Sequence, residues 1–193
     1  MNSKQIALAA ALLALVFLAH AAGRFTQIGG AQFAPSIAIY MLAAYLLATQ
    51  TNVAEKIGIA ILVGILTMIA TSSPFPPANI PSHGGSFLLA AFMAQPFIKK
   101  RGDVPILFHI FAAVVVVVVS WTLFALFTWI GLTGTGFTQK QFTRFDINFG
   151  TGFIAWWLFG WIGVGIPTLL ITIIVTPILY KLVKPVLVRQ GMI

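Results

Sequence analysis

The sequence predicts an all-α integral membrane protein, a six-helix bundle with both termini in the cytosol. Charged residues make up only 7% of the 193, and hydrophobic ones 60%. A soluble domain carries about a quarter of its residues charged. Apolar segments near the roughly 20 residues that cross a hydrocarbon core recur six times along the chain. The basic residues fall unequally between the connections, which orients the bundle.

The first segment, residues 5–22, follows Lys4 as a signal peptide would. Its apolar core is too long for that, and no clean small-x-small site follows it, so it reads as a span. The others are residues 34–49, 53–71, 84–98, 104–132 and 152–182, all within one domain. The fourth is short. The last two exceed one crossing, an excess that tilt or kinks at Pro167 and Pro177 absorb. The valine run 114–119 has strand-like composition, but its apolar setting makes it helix in lipid.

Placing the N-terminus in the cytosol puts Lys4, Lys56, Lys99, Lys100, Arg101, Lys181, Lys184 and Arg189 inside and Arg24, Lys140 and Arg144 outside. That is the positive-inside bias of a protein with an even number of spans. The net charge of +8 is then a matter of topology and anionic lipid headgroups, not of nucleic acid.

Several chemistries are set aside by what the chain lacks. Without cysteine it has no disulfide, thiolate metal site or cysteine nucleophile. Its only acidic residues, Glu55, Asp103 and Asp146, fall in predicted connections or, for Glu55, at the very start of a span, whereas ion-driven carriers usually hold an ionisable group at membrane depth. His20 and His109 are expected as packing or interfacial histidines. No GxxxxGK[ST] or HExxH motif is present, nor a serine elbow, so the chain is expected to be no enzyme and to hold no metal or cofactor. Uphill transport would need power from a partner chain.

The connections expected outside carry the functional signal. TSSPFPPANIPSHGGSF (71–87) joins rigid prolines to Gly84 and Gly85, whose open φ suits close backbone approach. Its neutral polar side chains suit a lid over a small-molecule site as well as an ordinary rigid turn. Residues 23–35, with Arg24, Gln27, Gly29 and Gly30, share its ingredients. So do residues 131–152, with Lys140, Arg144, Asp146 and Asn148 among phenylalanines. Thr71, Asn79, Ser82, His83 and Gln27 are the candidate hydrogen-bonding residues, and Phe75 and Trp157 the apolar contacts. In the first span, Ala7, Ala10, Ala11 and Ala14 fall on one helical face, where small residues admit another helix, in a partner or within the bundle.

In these features the chain resembles the substrate-binding S components of energy-coupling factor transporters. IGGAQFAPSIAIYML (28–42) and FPPANIPSHGG (75–85) are similar to the tryptophan-transporter TrpP branch. Phe75, Pro76, Ile80 and Pro81 match that branch's Phe-Pro-Gly-Gly-Gln-Ile-Pro-Asn loop. Asn79 replaces its glutamine and Ser82 its asparagine, and Gly85 and Ser86 stand where the branch carries an acidic–basic pair. The resemblance implies a small nutrient, tryptophan or vitamin-like, held under the first, third and fifth connections. It also implies an alanine face docked on a T component with two ATPase subunits, in a bacterial or archaeal cell membrane. A non-transport membrane scaffold and a solitary facilitator are the alternatives.

Overall fold

The computed structural model describes residues 1–193 except 24, 26, 29, 30, 74 and 133–151; for Gln27, Ile28, Ala31 and Gln32 it describes the backbone alone. Arg24, Gly29, Gly30, Lys140, Arg144, Asp146 and Asn148 therefore lie outside the described residues.

The chain is helical almost throughout. The helices are α1 (Ser3–Ala22), α2 (Ser36–Leu47), α3 (Val53–Ala70), α4 (Gly85–Arg101), α5 (Ile106–Leu132), α6 (Phe153–Gly160) and α7 (Ile166–Arg189). A two-residue antiparallel ladder, β1 (Gln27–Ile28) on β2 (Ala31–Gln32), lies between α1 and α2. Four helical stretches are long and apolar enough to cross a membrane: α1, α3, α5, and the continuous run from Phe153 to Arg189.

Residues 34–49, expected as a span, form only the 12-residue α2. At 1.5 Å per residue that is about 18 Å, short of a roughly 30 Å core. Pro35 opens the helix, and tightening bonds from Ala48 to Tyr45 and from Gln50 to Leu47 close it. All of α2 except Ile39 is buried, packed among α1, α4 and α7. It is the axis of the core. An all-apolar short helix gains by enclosure on every side, and the lipid is left to its neighbours.

Helix starts follow local chemistry. Asn2 with Gln5 and Asn52 with Glu55 form capping boxes at α1 and α3. Gly102, at φ 67°, ends α4 in the left-handed conformation that only glycine adopts cheaply.

The two expected kink sites behave differently. Pro177 stays inside α7. Ahead of Pro167 the helix widens into a π turn over Trp161–Gly165. A second π turn, Ile80–Gly84, contains Pro81 and runs directly into α4. Each proline removes an N–H from the ladder, and one extra residue in the turn accommodates the gap. The segment expected as an irregular connection is thus helical from Pro76 onward, with a 3₁₀ turn over Pro76–Ala78.

Both chain ends meet at one end of the bundle. The N-terminal ammonium pairs with Glu55, and Lys4 donates to the Gln190 carbonyl at 3.1 Å. Lys184 pairs with Asp103 at 2.9 Å and also donates to the Gly102 carbonyl. Burial opposes the Asp103 charge, but Lys184 and the Val104 backbone outweigh it and hold the carboxyl below the usual range. Every charged side chain among the described residues belongs to this terminal end: Lys4, Glu55, Lys56, Lys99, Lys100, Arg101, Asp103, Lys181, Lys184 and Arg189.

Candidate functional site

At the opposite end, neutral polar side chains from five elements converge beneath the 71–87 segment. The last turn of α1 supplies His20, whose Nδ1 lies 2.9 Å from Ser36 Oγ at the start of α2. One turn along α2, Tyr40 sets its ring edge-on to His83 of the π turn, with centroids 5.6 Å apart. His20 meets the same imidazole at 4.9 Å. Two of the chain's three histidines, 63 positions apart in sequence, are thus neighbours. Ser82 donates to the Ser120 carbonyl of α5 at 2.9 Å and shares a 3.1 Å contact with the Ser120 hydroxyl. Ser86, in the first turn of α4, completes the group.

These side chains are enclosed: Tyr40 and Ser86 are 0% exposed and His83 6%. The Tyr40 hydroxyl, the Ser86 hydroxyl and His83 Nδ1 have no hydrogen-bond partner among the described residues. The hydroxyls of Ser120 and Ser86 lie close enough to that of Tyr40 to act on its proton, though not in well-formed hydrogen bonds. Each such atom costs about 1–3 kcal/mol. The three lie in or beside the Ile80–Gly84 π turn, a feature frequent at functional sites.

Close backbone packing fixes this turn. A Cβ on Gly64 of α3 would stand 2.7 Å from Ile80 Cα, and one on Gly84 would stand 2.6 Å from the Ala60 carbonyl oxygen. The turn and α3 touch main chain to main chain. Gly84 and Gly85 have helical φ of −65° and −61°, so the open φ expected of them is not used. What the fold takes from Gly84 is its missing side chain; Gly85 meets only Leu123, in ordinary contact.

Of the residues singled out by sequence, Ser82 and His83 enter the nest. Asn79 is buried beside it, with its side-chain amide donating to the Pro76 carbonyl at 2.8 Å, so it locks the 3₁₀ turn. Thr71 Oγ accepts from the Ser73 N–H, and Ser73 Oγ from the Phe75 N–H, a pair of side-chain turns that shape 71–75. The Phe75 ring lies against Gly131 at the end of α5. Trp157 donates to Thr122 Oγ at 3.1 Å while Trp121 donates to the Trp157 carbonyl, so the indole fastens α6 to α5. Gln27 lies in the two-residue ladder, its backbone paired with Gln32.

Sequence reading missed Ser36, Tyr40, Ser86 and Ser120 and treated His20 as a packing residue. A signal existed for the first pair: Ser36 and Tyr40 stand four apart on an otherwise apolar helix, hence on one face. Ser82 and Ser86 have the same spacing, hidden by an expected loop boundary at residue 84.

On α1 the structure separates two readings. Ala7, Ala10, Ala11 and Ala14 are all exposed, while Leu8, Ala9, Leu12 and Val16 face the core. The alanine face is not used within the bundle. Among the described residues no group of three or more His, Cys, Asp or Glu side chains comes together as metal ligands would. Comparison with protein-family models, curated proteins and solved structures yields no match to this chain.

Proposed function

We propose that this chain is the membrane-embedded substrate-capture subunit of an ATP-driven nutrient importer, resembling the S components of energy-coupling factor transporters. In this reading six segments embed in a bacterial or archaeal cell membrane, with the charged terminal end in the cytosol and the neutral nest towards the outside. The short α2 is then enclosed by its neighbours, while α4 keeps one face outward. A small nutrient, tryptophan or vitamin-like, binds in the Tyr40–His83–Ser86 nest, with Ser82 and Asn79 fixing the turn above it. The observation that carries the reading is that nest: Tyr40, His83 and Ser86, brought from α2, the π turn and α4, each bury a polar atom without a well-formed partner at the end of the bundle away from the charged rim of the described residues.

Two features support the remainder. The exposed alanine face offers a surface for close approach by a helix of another chain, as a T component would supply. No nucleotide-binding loop is present, so the energy comes from two ATPase partners. Purified from its host in detergent, the chain should bring those subunits with it, and Ala10→Leu with Ala14→Leu should release them without lowering Tm. A chain that purifies alone and moves solute when reconstituted alone is a facilitator. One whose partners bind no nucleotide is a scaffold, a reading the exposed alanine face also serves.

A further inference from the structure

Charge is spread unevenly around the terminal end of the bundle, and one stretch of it is far from balanced. At the seam between α3 and α4 stand Lys56, in the first turn of α3, and Lys99, Lys100 and Arg101, in the last turn of α4. Lys56 is only 1% exposed. Its ammonium donates to the Thr51 carbonyl and lies 5.9 Å from the centre of the Phe92 ring. Lys99 stands close enough to oppose that charge. Folding thus sets a buried cation beside a second one, an arrangement that calls for a counter-charge.

The protein supplies too little of it. The whole sequence has three acidic side chains. Glu55 pairs with the N-terminal ammonium and Asp103 with Lys184, while Asp146 lies outside the described residues. A single carboxylate, wherever it sits, does not balance four cations. The carbonyl end of α4 adds only about half a negative charge.

The surface beside this charge is apolar. Phe92, Pro96 and Lys99 are spaced four and three apart, so they share one face of α4, and all three are exposed. Phe92 lies two turns before Lys99, about 10 Å along the helix axis. A fitting anion therefore carries an apolar length behind its charge.

We propose that this seam binds an anionic phospholipid. Its phosphate meets Lys99 beside the buried charge of Lys56, with Lys100 and Arg101 adding to the field, and its acyl chain starts along Pro96 and Phe92. A zwitterionic headgroup brings a cation of its own back to the cluster and is the poorer ligand. The site requires only that the chain sits in a bilayer, so it stands or falls separately from substrate capture.

The test is native mass spectrometry of the full chain purified in detergent. Phosphatidylglycerol and phosphatidylcholine with matched acyl chains are supplied in equal amounts. Phosphatidylglycerol should be retained in preference. Lys99→Gln, at an exposed position, should lower the ratio of the two lipids about fivefold, the effect of one cation near a headgroup. Lys181→Gln removes the same charge from α7, which packs on α2 and α5, and should leave the ratio unchanged. Equal retention of both lipids by the native chain overturns the site. Equal losses in the two variants overturn it as well, because the rim as a whole would then attract the lipid. Displacement of phosphatidylglycerol by inorganic phosphate at the same concentration replaces the lipid with a free anion.

Discussion

The two ends of this bundle are held by different physics. At the terminal end, charge does the fastening: the N-terminal ammonium on Glu55, Lys184 on Asp103, and Lys56 on the Thr51 carbonyl beneath the Phe92 ring. At the other end, among the described residues, contacts are neutral. Glycine backbones press on α3, ring edges meet, and serine and threonine hydroxyls bridge helices, as when Ala34 donates to Thr168 Oγ at 3.1 Å. Each end also has a tyrosine of α2 against a histidine. Tyr40 faces His83 in the nest, while Tyr45 faces His109 and Tyr180 at 5.1 and 5.9 Å in a closed three-ring cluster. The comparison teaches where specificity can reside. Charged contacts are long-reaching and tolerant of geometry, so they suit a fixed rim. Neutral hydrogen bonds reward only correct placement, so they suit recognition.

The largest expected effect breaks the neutral end. Gly84→Ala drives a methyl into the Ala60 carbonyl, and Gly64→Ala drives one into Ile80. The obstacles are backbone, so neither side yields cheaply. Each should cost about 1–3 kcal/mol, seen as a lower Tm in detergent. Gly58→Ala, on the same helix with nothing near its added methyl, should be neutral or slightly stabilising. Equal behaviour of Gly58 and Gly64 variants would remove the main-chain contact from the account.

A smaller effect of opposite sign separates the two histidine sites. Both ring nitrogens of buried His109 lack partners, with the Val104 backbone and Asp103 nearby but out of hydrogen-bonding geometry. His109→Leu should leave stability unchanged or raise it by about 1 kcal/mol, because an unsatisfied buried group is removed. A clear fall in Tm would show that the ring cluster is held by hydrogen bonds and not by packing.

The smallest effect lies at the charged rim. Asp103 is 62% exposed, so breaking its pair with Lys184 by Asp103→Asn should cost no more than about 1 kcal/mol, and less at high salt. Its folded pKa lies below the unfolded value, so its contribution is complete above the unfolded pKa. That contribution disappears as pH falls through the folded one. The Tm difference between the native chain and Asp103→Asn should therefore close as pH falls below about 4. A gap that persists at lower pH would assign the effect of Asp103 to something other than its charge.

Much of this was legible in the chain. The long apolar helices and the asymmetry of basic residues follow from composition and 3.6-residue spacing; which way the alanine face of α1 turns does not. Ser82 and His83 were visible as neutral polar residues in an apolar setting. The role of Trp157 was not, because an indole beside a proposed site and an indole fastening two helices look alike in sequence. The helical course of 76–84 was also hidden: prolines and glycines signal a turn, and only the π geometry shows how they remain in a helix.

By itself the sequence determined that this chain belongs in lipid and which faces of its long helices are apolar, since hydropathy and period are local properties. Only tertiary structure decided that α2 is the enclosed axis and that His20, Tyr40, His83, Ser86 and Ser120 share one nest. Those are facts about which distant segments meet. A helix fixes the direction of its side chains, but packing chooses the partner each one faces.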